Sequence, residues 1–339
     1  MKKEIVISGY GNVARELMKL LLEKQEMLKE RYGLDAIVVG IAGSKGMINQ
    51  EKGINLEALL MYGTGSTALS SYAKQFDVPF QQTEIKGDIL VDCSPTNIEN
   101  GEPGKTYIGQ ALENGMDVIA VSKGALVTSF DELMEMAEKS GAKLKYSGAT
   151  AAALPTLDIG EYSLAGSTIT SIKGVLNGTS NYILTCMLKE NLSFAEALKI
   201  AQEQGIAEAN ASMDVKGIDS ACKILLLANR LLGAKISLDD IRISGIEGMT
   251  NEDIEKVKAK GSKLKLIASA SVSQDNVDVQ VHVCELSKEH PLFQVDGTNK
   301  GIVFETKEMG DICVTGGASH PRAAAAAALK DLINIVCER

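Results

Sequence analysis

The stretch Glu4–Lys24, EIVISGYGNVARELMKLLLEK, decides the fold. Ile5–Ser8 is a short apolar run of strand type. Gly9, Gly11 and Ala14 follow it as G-x-G-x-x-A, and from Asn12 and Val13 onward apolar residues recur at helical spacing. Strand, glycine turn and helix in this order build the phosphate-binding corner of a dinucleotide fold. The first glycine makes the tight turn, the second lets a pyrophosphate approach the backbone, and the third small residue lets helix and strand pack closely. The helix N-terminus adds free N–H groups and the positive end of its dipole. The bare motif is common, and its place at the first strand–helix turn of an α/β pattern gives it meaning. Gly9, Gly11, Asn12, Val13 and Ala14 are therefore candidate cofactor contacts.

Three further apolar runs fit the same sheet: AIVVGIAG (Ala36–Gly43), DILVDCSPTN (Asp88–Asn97) and MDVIAVSKGAL (Met116–Leu126). Parallel strands covered on both faces read this way, and ligands bind beyond their carboxyl ends. That places Ser94, Thr96, Ser122 and Lys123 beside the cofactor. Lys123 can act there as proton donor or carbonyl polariser, or be a surface-loop lysine. At the end of the second strand an Asp or Glu would bind a ribose hydroxyl, but Ser44 and Lys45 stand there instead and suit a 2′-phosphate. NADP is favoured over NAD on that ground, against the alternative of Lys45 as a solvated surface residue. MYGTGSTALSS (Met61–Ser71) reads as a plain connection.

Composition bounds the rest. With 339 residues the chain is long enough for two domains. A net charge of −9 gives no basic face for nucleic acid. Six scattered cysteines form no C-x-x-C motif, so neither a zinc knuckle nor a disulfide framework is encoded. MKKEIVISGYG enters a strand directly, without an apolar leader, and no apolar run is long enough to span a membrane. A cytoplasmic protein with a small-molecule substrate is expected. His282, His290 and His320 have no metal-triad spacing, and no metal is assigned.

After YSGATAAALPTLD the pattern changes. TITSIKGVLNGTSNYILTCML gives a strand, a turn at Asn177-Gly178-Thr179 and a helix. KLKLIASASV and VDVQVHVCEL alternate with period two around Gln274-Asp275-Asn276, a hairpin signal, and GIVFETKE and DICVTG add shorter strands. PRAAAAAALKDLINIVCER is a strong helix former opened by Pro321. The fold class expected is α/β: an N-terminal Rossmann-type doubly wound parallel sheet, and a second α+β domain with a mostly antiparallel open sheet and helices on one face. Residues 1–146 form the first domain, 147–317 a substrate and dimerisation domain, and helix 318–339 packs back on the first. The open sheet edge makes a homodimer the expected assembly.

Within the second domain, KGIDSACKILLLANRLLG (Lys216–Gly233) carries Asp219 and Lys223 one helical turn apart in an otherwise apolar segment. A helix apolar nearly all round is normally buried, so the pair is either a structural bridge or part of a site. Asn177-Gly178-Thr179 is similarly open: a helix start capped by Thr179 or Ser180, or a backbone cradle for a carboxylate or the nicotinamide.

Taken together the motifs resemble the homoserine dehydrogenase family. LNGTSNYIL (Leu176–Leu184) is similar to its I-L-N-G-T-x-N-Y-I-L, Glu203–Ala228 to its G-x-A-E-x-D-P-x-x-D-V-x-G-x-D-x-x-x-K, and VSKGAL to its N-K-x-x-L. The length resembles the short form without a regulatory C-terminal domain. The resemblance implies reversible NAD(P)-dependent reduction of L-aspartate 4-semialdehyde to L-homoserine, in threonine and methionine biosynthesis. It implies Lys223 and Lys123 for proton transfer, with Asp219 orienting Lys223. It also implies Glu208 and Asp214 for the substrate amino group, Gly178 and Thr179 near cofactor and substrate, and Gly317 in the cofactor set. The pair Asp219–Lys223 would then face the nicotinamide across a closed interdomain cleft.

Several positions depart from the family pattern. Ser147 stands where the family has a Glu and Ala153 where it has a Gly, in a segment that binds a monovalent cation in some members; the missing carboxylate argues against such a site here. Asn210-Ala211 replaces D-P, Ser122 an Asn, and Arg322 a Thr. These leave room for another small amino- or hydroxy-acid aldehyde as substrate, or for a non-catalytic NADP-binding module.

Overall fold

The computed structural model describes residues 1–274, 276–317 and 319–338. It divides into two compact units, Met1–Ala149 with His320–Arg339, and Thr150–Ser319.

The first unit is built on a six-stranded sheet in the order β3-β2-β1-β4-β5-β6. Its strands are β1 (Lys2–Ser8), β2 (Asp35–Gly43), β3 (Gly46–Asn49), β4 (Ile89–Asp92), β5 (Asp117–Ala120) and β6 (Leu144–Lys145). All neighbours run parallel except β2 and β3, which form a hairpin. Ile5, Val6 and Ile7 are fully buried, as consecutive apolar residues must be in a strand covered on both faces. The chain leaves β1 for β2 on one side and returns to β4 on the other, so a topological switch point lies at the carboxyl end of β1. The helix Asn12–Glu23 buries Ala14, Leu17, Met18, Leu20 and Leu21. Against it packs the helix Pro321–Val336, whose Ala325, Ala328, Leu329, Leu332 and Ile335 enter the same core. Pro321 sits at the start of that helix and His320 caps it, with its Nδ1 accepting from the Ala323 N–H at 3.3 Å. Ala318 and Arg339, the ends of the tail segment expected from sequence, lie outside the described residues.

One local expectation is corrected here. The stretch Met61–Ser71 is not a plain connection: Gly65–Gln75 is a helix. Ala68, Leu69, Tyr72 and Ala73 are buried, a spacing that puts them on one helical face. Ser44 and Lys45 follow the second strand as expected, and form the two-residue turn of the β2–β3 hairpin.

The second unit holds an open sheet in the order β12-β11-β7-β9-β10-β8. Its strands are β7 (Ile169–Val175), β8 (Arg242–Ile243), β9 (Lys263–Ser273), β10 (Asn276–Leu286), β11 (Lys300–Thr306) and β12 (Gly310–Gly316). Every pairing is antiparallel except β8 with β10. β9 and β10 pair from Lys263–Leu286 to Ser273–Asn276; of the turn expected between them, Asp275 lies outside the described residues. The helices Gly178–Glu190, Ile218–Leu231 and Asn251–Ala259 pack on β9. Leu292, Phe293 and Val295, from the segment before β11, close a smaller core with Val175, Ile267 and Val303. Among the described residues no helix is long and apolar enough to cross a membrane.

Candidate active site

In the first unit the glycine turn shapes a cleft of about 730 Å³ at the switch point, lined among others by Gly9, Gly11, Ser44, Gly65, Ser66 and Ser94. Gly9 has φ +85°, and a Cβ added to it would lie 2.5 Å from the Cys93 carbonyl oxygen, so no side chain fits. At Gly11 an added Cβ would meet no protein atom within 4 Å, because the position opens into the cleft. Gly11 is also the N-cap of the helix Asn12–Glu23, so its free N–H groups start where the space is. The Ser94 hydroxyl is buried and has no hydrogen-bond partner among the described residues. A bare backbone corner with an unsatisfied hydroxyl fits the phosphates and ribose of a dinucleotide.

The other expected cofactor residues divide into rim and support. Asn12 is exposed, Val13 half-buried, and Ala14 fully buried where the helix meets the core. Ser44 and Lys45 are exposed; the Ser44 and Ser66 hydroxyls lie 3.0 Å apart, and the Lys45 N–H donates to Ser66 Oγ at 3.1 Å. The Thr96 hydroxyl accepts the Lys123 N–H at 3.4 Å. Lys123 itself occupies the position before the first turn of the helix Gly124–Ser140. The Ser122 hydroxyl donates to the buried Asp92, which also accepts from Ser8 Oγ at 2.7 Å. Gly317, in the second unit, follows β12 with φ +75°.

The second unit gathers charge. The Lys223 ammonium donates to Asp219 Oδ2 at 2.5 Å and to the Leu176 carbonyl at 2.9 Å. Both side chains are nearly buried, with 14% and 13% exposure, so the pair does not point into bulk solvent. Asn177 links the pair to a second carboxylate, donating to Asp214 Oδ1 at 2.6 Å and to Asp219 Oδ2 at 2.8 Å. Its Oδ1 meanwhile accepts the Ser180 N–H at 2.9 Å. Asn177, rather than Thr179 or Ser180, is therefore the cap of the helix Gly178–Glu190. Asn177 can do both jobs because an amide carries donors and an acceptor on one planar group. Burial, and then the Asp219 charge, push the Asp214 carboxyl above its ordinary range, and the Glu208 charge adds to this. Glu208 is exposed beyond it. Gly178 is buried at the first turn, and the Thr179 hydroxyl donates to the Ile206 carbonyl at 3.1 Å.

Two of the three Lys223 N–H groups are used, and among the described residues no protein acceptor holds the third. A buried ammonium with a donor to spare, fixed by a carboxylate one turn away, can give a proton to an oxygen placed against it and take it back.

Comparison with known proteins identifies the family over nearly the whole chain. Residues 9–147 match the family described as "Homoserine dehydrogenase, NAD binding domain", and residues 155–333 match "Homoserine dehydrogenase". The homoserine dehydrogenase of Methanocaldococcus jannaschii is 33% identical over 98% of this chain and 98% of its own. The chain belongs to the homoserine dehydrogenase family. It is thus an NAD(P)-dependent oxidoreductase acting on a CH–OH group. The NAD(+)-dependent homoserine dehydrogenase of Pseudomonas canavaninivorans is 31% identical over 98% of this chain and 96% of its own. Among solved structures, a putative homoserine dehydrogenase from Archaeoglobus fulgidus superposes with a TM-score of 0.84 at 31% identity, covering 98% of both chains.

Where this member departs from the family pattern, the new residues are engaged. Ser147 donates through its N–H and its hydroxyl to the buried Asp331, at 2.9 and 2.8 Å, and accepts from Lys330 at 2.7 Å. Arg322 pairs with Glu16 and Glu23 on the first helix. Three residues of the two sites were not singled out from sequence. Asn177 sat in a motif that sequence left open between a helix start and a backbone cradle, with no role for its own side chain. Ser66 belonged to the stretch taken as a connection. Lys300, fully buried at the head of β11, signalled itself only as a charge opening the apolar run GIVF. Its ammonium donates to the Ala151 carbonyl at 2.7 Å. Burial and then the Lys223 charge lower its pKa to about 8, against the opposing pull of Asp219.

Proposed function

We propose that this chain catalyses the reversible reduction of L-aspartate 4-semialdehyde to L-homoserine, in the threonine and methionine branch of amino-acid biosynthesis, with NADP(H) preferred over NAD(H). The first unit holds the cofactor and the second the substrate, and the second forms the homodimer through its open sheet edges. The observation that carries the reading is the nearly buried Lys223–Asp219 pair, with one ammonium N–H left for a ligand oxygen.

The nicotinamide supplies or accepts a hydride at its C4. Lys223 delivers a proton to the substrate oxygen as negative charge develops there, and in the other direction receives it. Asp219 keeps the ammonium aimed, and a charge-assisted bond in a site with little water does this more firmly than at the surface. Lys123, from the first unit, is the second proton-transfer group. Glu208 and Asp214 complement the α-ammonium. The upward shift of Asp214 suits that task, because a cation placed beside it favours the ionised carboxylate that burial and the Asp219 charge disfavour. Gly178 and Thr179 bring backbone N–H groups to the cofactor and substrate. The preference for NADP rests on Ser44, Lys45 and Ser66 standing where a ribose-binding acid would be.

Reduction of a panel of short semialdehydes, each with NADPH and NADH, tests both halves. The expected result is the highest kcat/KM for L-aspartate 4-semialdehyde with NADPH. A better semialdehyde would overturn the substrate, and a higher kcat/KM with NADH would overturn the cofactor preference.

A further inference from the structure

Asn177 has no part in that mechanism, yet its side chain touches both halves of it. Beyond the end of β7 two successive residues each hold one member of the ion pair: the Leu176 carbonyl accepts from the Lys223 ammonium at 2.9 Å, and the Asn177 amide donates to Asp219 Oδ2 at 2.8 Å. The other N–H of the same nitrogen goes to Asp214 Oδ1 at 2.6 Å. One planar group thus spans two carboxylates.

Its orientation is fixed. Asn177 is buried, and its Oδ1 accepts the Ser180 N–H at 2.9 Å as the cap of the helix Gly178–Glu190. A flipped amide would set its oxygen against two acceptors and leave the Ser180 N–H unpaired. The cap accounts for the oxygen and not for the nitrogen, because Ser or Asp would cap equally well. The two carboxylates, moreover, do not share a helix. Asp214 lies in the short helix Ser212–Val215, Asp219 in the first turn of the helix Ile218–Leu231, and the chain between them turns at Gly217, which has φ +82°. Their spacing is set across that turn, and Asn177 bridges it from another element. The charged groups facing Asp214 are Asp219 and Lys223 from the longer helix and Glu208 from the segment before it, and the Asn177 N–H favours its ionised form.

We propose that Asn177 is a positioning residue: its amide holds Asp214 and Asp219 at a fixed spacing, and so couples the carboxylate that takes the substrate's amino group to the one that aims Lys223. The inference rests on the roles given to those three residues above. A substrate carries its amino group and its reacting oxygen at a distance set by its own bonds, and the protein needs a matching distance between the groups that meet them.

Asn177→Ser and Asn177→Asp separate the cap from the bridge. Both keep a capping oxygen, so Tm should change little; Ser ends a bond short of the carboxylates, and Asp sets a third carboxylate against them. In semialdehyde reduction Asn177→Ser should lower kcat and raise KM, each by about threefold to tenfold, because the amide serves one carboxylate of each kind. Asn177→Asp should do both more strongly. The acid limb of the kcat/KM profile should move to higher pH in Asn177→Ser, since a hydrogen bond that favours ionised Asp214 is gone. A residue that merely caps a helix would leave both variants native in rate and in pH profile, and that result overturns the proposal, as does a fall in kcat with KM and the acid limb unmoved. A second measurement needs neither turnover nor an Asn177 variant, and decides the matter should the variants not fold: the Asn177 side-chain amide ¹H–¹⁵N signals of the native protein, followed through a pH titration. They should shift with a midpoint above the ordinary aspartate range, and Asp214→Asn should remove that step. Signals that do not titrate, or a step that survives Asp214→Asn, overturn the coupling. A native protein that reduces no semialdehyde would refute the function above, while the amide titration would still decide whether Asn177 bridges the carboxylates.

Discussion

In the first unit the decisive positions are those without a side chain: Gly9, where a Cβ would strike the Cys93 carbonyl, and Gly11, where it would enter the cleft. In the second unit they are charged side chains held out of water: Lys223, Asp219, Asp214 and, deeper still, Lys300. The difference follows from what each has to do. A dinucleotide is held by many backbone N–H groups at once, and each needs close approach rather than a particular side chain. A proton is moved by one group, which must be aimed and kept from the solvent. A site built from backbone should fail gradually and mainly in affinity, whereas a site built from one buried pair should fail abruptly and in rate.

The largest effect should therefore come from Lys223→Met. It keeps the packing of the stem and removes the proton, so kcat should drop by about 10²–10⁴. NADPH affinity, measured by calorimetry, should stay within about twofold. Equal losses in rate and cofactor affinity would break the contrast between the two units. Native turnover would remove Lys223 from the chemistry altogether.

Next in size is a pair of alanines in the glycine turn. Gly9→Ala puts a Cβ at 2.5 Å from backbone and a non-glycine residue at φ +85°, and neither neighbour can move without disturbing β4. A loss of about 1–3 kcal/mol in the stability of the first unit is expected, seen as a lower Tm. Gly11→Ala meets no protein atom, so Tm should hold while cofactor affinity falls, because the methyl group occupies ligand space. If both variants behaved alike, the distinction between the glycine that makes the turn and the glycine that admits the phosphate would be wrong for this chain.

The two regions also differed in how far sequence revealed them. The glycine turn was legible because spacing, strand and helix all appear within Glu4–Lys24, and backbone geometry depends on local residues. The pair Asp219–Lys223 was legible as a question, since two charges in an apolar helix stand out, and packing on β9 and β10 accounts for their burial. Asn177 and Lys300 were not legible. They come from other elements, and what matters about them, a shared amide between two carboxylates and an ammonium on a carbonyl from a distant turn, exists only once the sheet β11-β7-β9 has assembled. The helix Gly65–Gln75 was hidden for a different reason: glycine and serine dominate its first turns, and its apolar stripe is only four residues, so turn chemistry outweighed periodicity.

The smallest effect should sharpen the comparison inside the first unit, where side chains do contribute at one place. On the proposed reading Gly9 and Gly11 would treat NAD and NADP alike, since both carry the same pyrophosphate, and selectivity would come from the hairpin turn at Ser44–Lys45 and from Ser66 beside it. Lys45 is exposed, and an exposed ammonium acting on a phosphate is weakened by water and salt. Lys45→Ala should therefore lower NADP⁺ affinity by only about twofold to fivefold and leave NAD⁺ affinity unchanged, with the difference shrinking as salt is raised. Ser66→Asp should act in the same direction and more strongly, because it places a carboxylate where two hydroxyls and a backbone N–H now converge. Equal losses for both cofactors in either variant would show that this rim holds the adenosine rather than its phosphate, and would return the choice of cofactor to the backbone.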